Sequence, residues 1–121
     1  MNLSFFAPFV DCTNAMDWEI QQVVFDTVRD DPDAEEYTRK SPYVCISRNF
    51  EFPGAANIQW HDGNDNENGD SIRSTALELD RIFIILGKEG TIEITFHLND
   101  RQFEELERYL RNMLGRLLKK Q

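Results

Sequence analysis

General base catalysis at neutral pH would fall to His61 or His97, the two histidines of the chain, because imidazole titrates in that range unperturbed. A nucleophile would come from a reactive thiol, Cys12 or Cys45, or from an activated hydroxyl. His97 falls on the polar side of an alternating segment and is expected to face solvent. His61 stands between Trp60 and Asp62 and is the better base. Both cysteines lie inside apolar runs, where a thiol behaves as a small buried hydrophobe. The sequence holds no CxxC, HExxH, GxSxG or glycine-rich phosphate loop. A nucleophile, base and orienter are therefore not legible as a set. No catalytic, cofactor-binding or metal-ligating residue is assigned, and a small enzyme ranks third among the functional readings.

Charge offers a different kind of site. Residues 26–36 (DTVRDDPDAEE) hold six acids and one base, and residues 62–70 (DGNDNENGD) hold four acids and no base. These two segments account for the whole formal net charge of −9; the rest of the chain balances twelve acids against twelve bases. A focused acidic patch steers a basic partner, whereas diffuse charge mainly keeps a protein soluble. The residues expected to meet such a partner are Asp30, Asp31, Asp33, Glu35 and Glu36, then Asp62, Asp65, Glu67 and Asp70. Tyr37 and Trp60 border the two segments and are candidate anchors, since Tyr and Trp dominate interface hot spots. Trp60 is balanced between that role and the core; Trp18 is expected in the core.

A calcium loop is the sharper reading of residues 62–70. Registered from Asn64, it places Asn66, Asn68 and Gly69 correctly, but Thr75 stands where a bidentate Glu is required. Both flanks read as strands, not helices. A solvated turn is expected instead, with no metal and no cofactor.

The remaining bounds are broad. At 121 residues with 40% hydrophobic and 29% charged content, the chain fits one domain over 1–121 with a single core. Acidity argues against nucleic-acid and membrane partners, which require a basic footprint. The opening MNLSFFAPFV lacks the basic start of a signal peptide. No run approaches the ~20 apolar residues of a membrane span. A cytoplasmic location is expected.

The elements that must position these side chains are clearest in the last third. Thr91–Leu98 alternates strictly, with Ile92, Ile94, Phe96 and Leu98 on one face. Arg81–Leu86 precedes it across the turn Gly87–Gly90, predicting an antiparallel hairpin. Asn99 is a good helix N-cap, with Gln102 as capping-box partner. Apolar residues then recur at Phe103, Leu106, Leu110, Met113, Leu114, Leu117 and Leu118. The basic tail, Arg111, Arg116, Lys119 and Lys120, would complement the negative end of that helix. Gly115 interrupts the stripe. Upstream, Ser4–Cys12, Trp18–Thr27, Tyr43–Phe50, Ala56–His61 and Thr75–Leu79 read as strands, with a turn over Thr13–Asp17. Residues 28–41 form a polar connection. The expected fold is α+β: an antiparallel sheet of six to seven strands with one long C-terminal helix packed on one face.

This order of features resembles a family of small bacterial proteins that neutralise polymorphic toxins, the immunity protein 10 group. The matching pieces are an opening strand with Phe6-Ala7, an acidic run with Asp31-Pro32, then Tyr37. A strand ending near Arg48, Gln59 with Asp62-Gly63, and ALELDRIFIIL follow, and IEITFHLNDRQFEELERYLRNMLG closes the pattern. The resemblance implies a stoichiometric inhibitor that binds a toxin domain tightly, without catalysis or cofactor. Residues 62–72 are richer in Asn and Asp than the family pattern. The alternative reading is a small acidic secretion chaperone or homodimeric assembly protein, its leucine-rich helix packing across a two-fold axis.

Overall fold

A computed structural model describes residues 1–29, 41–88 and 90–120, with the backbone alone at 68, 69 and 120. The described strands form two five-stranded sheets, not the single sheet of six to seven strands expected. β1 (Asn2–Phe6), β7 (Ile72–Leu77), β8 (Arg81–Leu86), β9 (Thr91–Thr95) and β10 (Leu118–Lys120) make the first, in the order β1-β9-β8-β7-β10. β2 (Phe9–Ala15), β3 (Ile20–Asp26), β4 (Tyr43–Asn49), β5 (Asn57–His61) and β6 (Asn66–Asp70) make the second. The second sheet is an antiparallel meander in chain order. The first is mixed, because its edge strands β1 and β10 run parallel to β9 and β7.

Period-2 alternation reports that a strand buries one face, not which sheet it joins. Alternation alone therefore predicts one sheet where the chain forms two. The chain changes sheet at Ala7-Pro8, splitting the expected strand Ser4–Cys12 in two, and again at Ser71, the one residue between β6 and β7. Proline has no N–H for a ladder and suits such a break. Ala7 is buried there, its N–H donating to the Thr95 carbonyl at 2.8 Å.

Inner-face residues of both sheets join one core. Ile82, Ile84, Ile92 and Ile94 come from the first sheet; Val23, Phe25, Val44, Ile46 and Ile58 come from the second. Phe25 stacks on Phe96 with ring centroids 6.2 Å apart. Thr91, Glu93 and Thr95 lie on the opposite face of β9, so the expected register holds. The hairpin of β8 and β9 also forms as expected.

The helix α1 (Asp100–Leu114) opens with the expected capping box. Asn99 Oδ1 accepts from the Gln102 N–H at 2.8 Å, and Gln102 Oε1 accepts from the Asn99 N–H at 3.0 Å. Phe103, Leu106, Tyr109, Leu110, Met113 and Leu114 are buried, and the helix packs against β2, β3 and β10. It stops earlier than the stripe implied. Gly115 takes φ 55°, which ends the helix, and a 3-10 turn (Gly115–Leu117) leads into β10. Arg116, Lys119 and Lys120 therefore lie past the helix and do not cap it. Of the expected basic residues Arg111 does stand in the last turn, and a further cation reaches the helix end from β4, where Arg48 Nη1 donates to the Met113 carbonyl at 3.0 Å.

Candidate protein interface

Consecutive hairpins of a meander alternate between its two ends, and this sorts the acidic segments. Asp26 pairs with Tyr43, Tyr43 with His61, and His61 with Asn66, forming one row across β3, β4, β5 and β6. Residues 27–42 connect the first pair and residues 62–65 connect the last. Both acidic segments thus leave the second sheet at the same end. Asp30, Asp31, Asp33, Glu35, Glu36 and Tyr37 lie outside the described residues. The described anchors of the row are tied together: the Tyr43 ring stacks on His61 at 6.1 Å, and Tyr43 OH donates to Asn66 Oδ1 at 3.0 Å.

Residues 62–70 are only partly the solvated turn expected. Asp62 Oδ1 accepts from the N–H groups of Asn64 (2.8 Å) and Asp65 (2.9 Å), closing a tight Asx turn. Those backbone donors, Asp65 first, hold the Asp62 carboxyl below its ordinary 3.8. Asn66–Asp70 then forms the edge strand β6, because Asn and Asp in a turn dipeptide say nothing about the ladder partner available downstream. Register puts Glu67 opposite Trp60 and, across a bulge, Asp70 opposite Ile58. Cross-strand partners share a face, so both carboxylates lie on the side of the sheet that carries the core. Acids there also discourage another chain from adding a strand to the edge.

A cavity of about 250 Å³ opens between the sheets at this edge. Trp60, Asp62, Glu67 and Asp70 line it from the second sheet, and Leu86 and Lys88 from the first. Four of the expected contact residues therefore meet at one depression. Asp65 is exposed in the adjoining turn and is not part of the lining. Trp60 is 6% exposed, and its indole Nε1 has no hydrogen-bond partner among the described residues. A buried donor left unpaired carries a desolvation cost of about 1–3 kcal/mol. Met1 and Gly90 complete the lining, and the carboxylates of Asp62, Glu67 and Asp70 beside Lys88 suit the cavity to a cation.

His61 is 2% exposed, and its Nδ1 accepts from the Gly63 N–H at 3.0 Å. Burial, reinforced by the Glu105 and Asp11 carboxylates, pushes the Cys12 thiol up to about 12. Burial also raises Cys45. Neither is a ready thiolate. His97 is exposed, as its alternation implied. Among the described residues no group of three His, Cys, Asp or Glu side chains is placed to hold a metal ion. No described helix is long and apolar enough to cross a membrane.

One prominent surface was missed. Trp18, expected in the core, is 50% exposed. The ladder closes at Ala15 and Ile20, so Trp18 falls in the turn Met16–Glu19 instead of starting β3. Met16, Asp17 and Trp18 all have positive φ, at 53°, 54° and 74°. Each non-glycine residue in that region costs about 1–2 kcal/mol. Sequence periodicity carries no signal of a left-handed run made without glycine.

Comparison with protein-family models, with curated proteins and with solved structures finds no match to this chain.

Proposed function

We propose that this chain is a non-catalytic protein-binding module that docks a basic protein on the acidic margin of its second sheet. The observation that carries the reading is the gathering of Asp62, Glu67 and Asp70 with Trp60 around one cavity at the sheet edge. A lysine or arginine side chain entering from a partner would bring its cation to these carboxylates.

Toxin neutralisation is the biological setting we propose for this activity, on the strength of the resemblance to immunity protein 10. An acidic inhibitor gains association rate against a basic toxin domain and occludes its phosphate-binding surface. The partner reading also draws support from the helix, whose apolar stripe is buried in the chain's own core and is not free to pair with a second copy.

Co-expression tests the proposal. The chain should restore growth to cells producing a basic toxin domain that it neutralises and should co-purify with that domain at a 1:1 ratio. The Asp62→Asn, Glu67→Gln, Asp70→Asn variant should fold yet fail in both assays. Full protection by that variant would remove the cavity from the account.

A further inference from the structure

The other end of the second sheet carries a surface of opposite character. Both connections there, the turn Met16–Glu19 and the loop after β4, present large apolar side chains to solvent. Met16 is 65% exposed, Trp18 50%, Phe50 39% and Phe52 63%. One hydrogen bond joins the two connections, the Phe50 N–H donating to the Glu19 carbonyl at 2.7 Å, and another closes the turn, the Glu19 N–H donating to the Met16 carbonyl at 3.1 Å.

The helix makes the patch continuous. Trp18 rests on Tyr109 with ring centroids 5.8 Å apart. Tyr109 is anchored in turn, because its hydroxyl accepts from Asn14 Nδ2 at 3.0 Å. Four residues further along the same helix face, the Met113 carbonyl holds Arg48, whose guanidinium lies 4.7 Å over the Phe50 ring. Trp18 and Phe50 are thus braced from beneath by successive turns of α1. Three consecutive left-handed residues hold Met16 and Trp18 outward, and such conformations persist where the surroundings enforce them. An exposed aromatic and methionine cluster on a rigid base has the composition of an interface core.

The rim states the partner's charge. Asp17, Glu19 and Glu51 are exposed around the patch, and none is paired with a cation among the described residues. The nearby arginines are engaged on aromatic faces, Arg48 over Phe50 and Arg108 over Tyr109. We propose that this end of the second sheet is a second docking surface, separate from the acidic margin, for a protein segment that presents apolar side chains between lysines or arginines.

The test uses the whole chain carrying Trp60→Phe, so that Trp18 is the only indole, and a synthetic amphipathic helical peptide of leucine and lysine. A serine–lysine peptide of equal charge is the control. The leucine–lysine peptide should shift Trp18 emission to the blue and saturate, and the control should not. Met16→Ser with Phe52→Ser should weaken binding about tenfold or more. Asp17→Asn, Glu19→Gln and Glu51→Gln together should weaken it several-fold and flatten its salt dependence. Neutralising Asp62, Asp65, Glu67 and Asp70 at the other end should leave it within about twofold, as should Leu79→Ser at an exposed apolar site elsewhere. Equal responses to both peptides, or binding indifferent to the Met16 and Phe52 changes, would overturn the proposal. So would sedimentation showing a dimer that the Met16 and Phe52 changes dissolve, since the occupant would then be a second copy.

Discussion

Glu67 stands directly across the β5–β6 ladder from Trp60, placing a carboxylate on the core side of an edge strand beside a buried indole. Two residues of such different hydration share a face only because the edge opens onto a cavity between the sheets. The pairing gives the acidic segment a direction. Asp62 and Asp65 form the turn at its tip, and Glu67 and Asp70 continue along the strand toward the first sheet.

The core predicts where stability resides. Ile82 and Ile94 are fully buried cross-strand partners, so Ile94→Ala should cost about 2–5 kcal/mol by urea denaturation. Glu93→Gln on the wet face of the same strand should stay within about 0.5 kcal/mol. Similar costs for both would contradict the assigned register.

Helix α1 has a separable stop and start. Asn99→Ala removes the acceptor of the capping box and should cost about 1 kcal/mol. Gly115→Ala places a Cβ at φ 55° and should cost about 1–2 kcal/mol, although the site has open space around it. Denaturant midpoints of the two variants check both values.

The helix start was legible in the sequence because Asn99, Gln102 and the switch from period 2 to period 3.6 all fall at one boundary. Its end was not, since Leu117 and Leu118 continue the stripe by number while Leu118 is buried on β10 instead. An apolar residue near a chain end serves a helix face or a strand equally well, and tertiary pairing with β7 decides. The site divides the same way. Its acids are plain from composition, but the sharing of one cavity by Trp60, Glu67 and Asp70 depends on a register and a bulge that alternation cannot supply.

The Asp62 turn sets a pH dependence. Its carboxyl is held below 3.8 by backbone donors, so it binds fewer protons folded than unfolded near that pH. Its stabilisation is fully present above 3.8 and is lost as pH falls through the lower folded value. The stability difference between the wild type and Asp62→Ala should be constant near neutrality and shrink on acidification. A difference independent of pH down to about 2 would contradict the turn.

Thiol chemistry should be quiet. With Cys12 raised to about 12 and Cys45 raised by burial, both should react with a disulfide reagent at pH 8 far more slowly than in denaturant. Rapid native labelling of either would reopen a nucleophilic role.

The central claim is electrostatic docking at the acidic margin, and association kinetics test it most directly. A basic partner captured on the immobilised chain and identified by mass spectrometry is mixed with the free chain by stopped flow. The association rate should fall about tenfold or more as ionic strength rises from about 0.05 to about 0.5 M. The variant with Asp62→Asn, Asp65→Asn, Glu67→Gln and Asp70→Asn should start slower and respond less to salt while remaining folded. An association rate that ignores both salt and the four neutralisations would contradict the account.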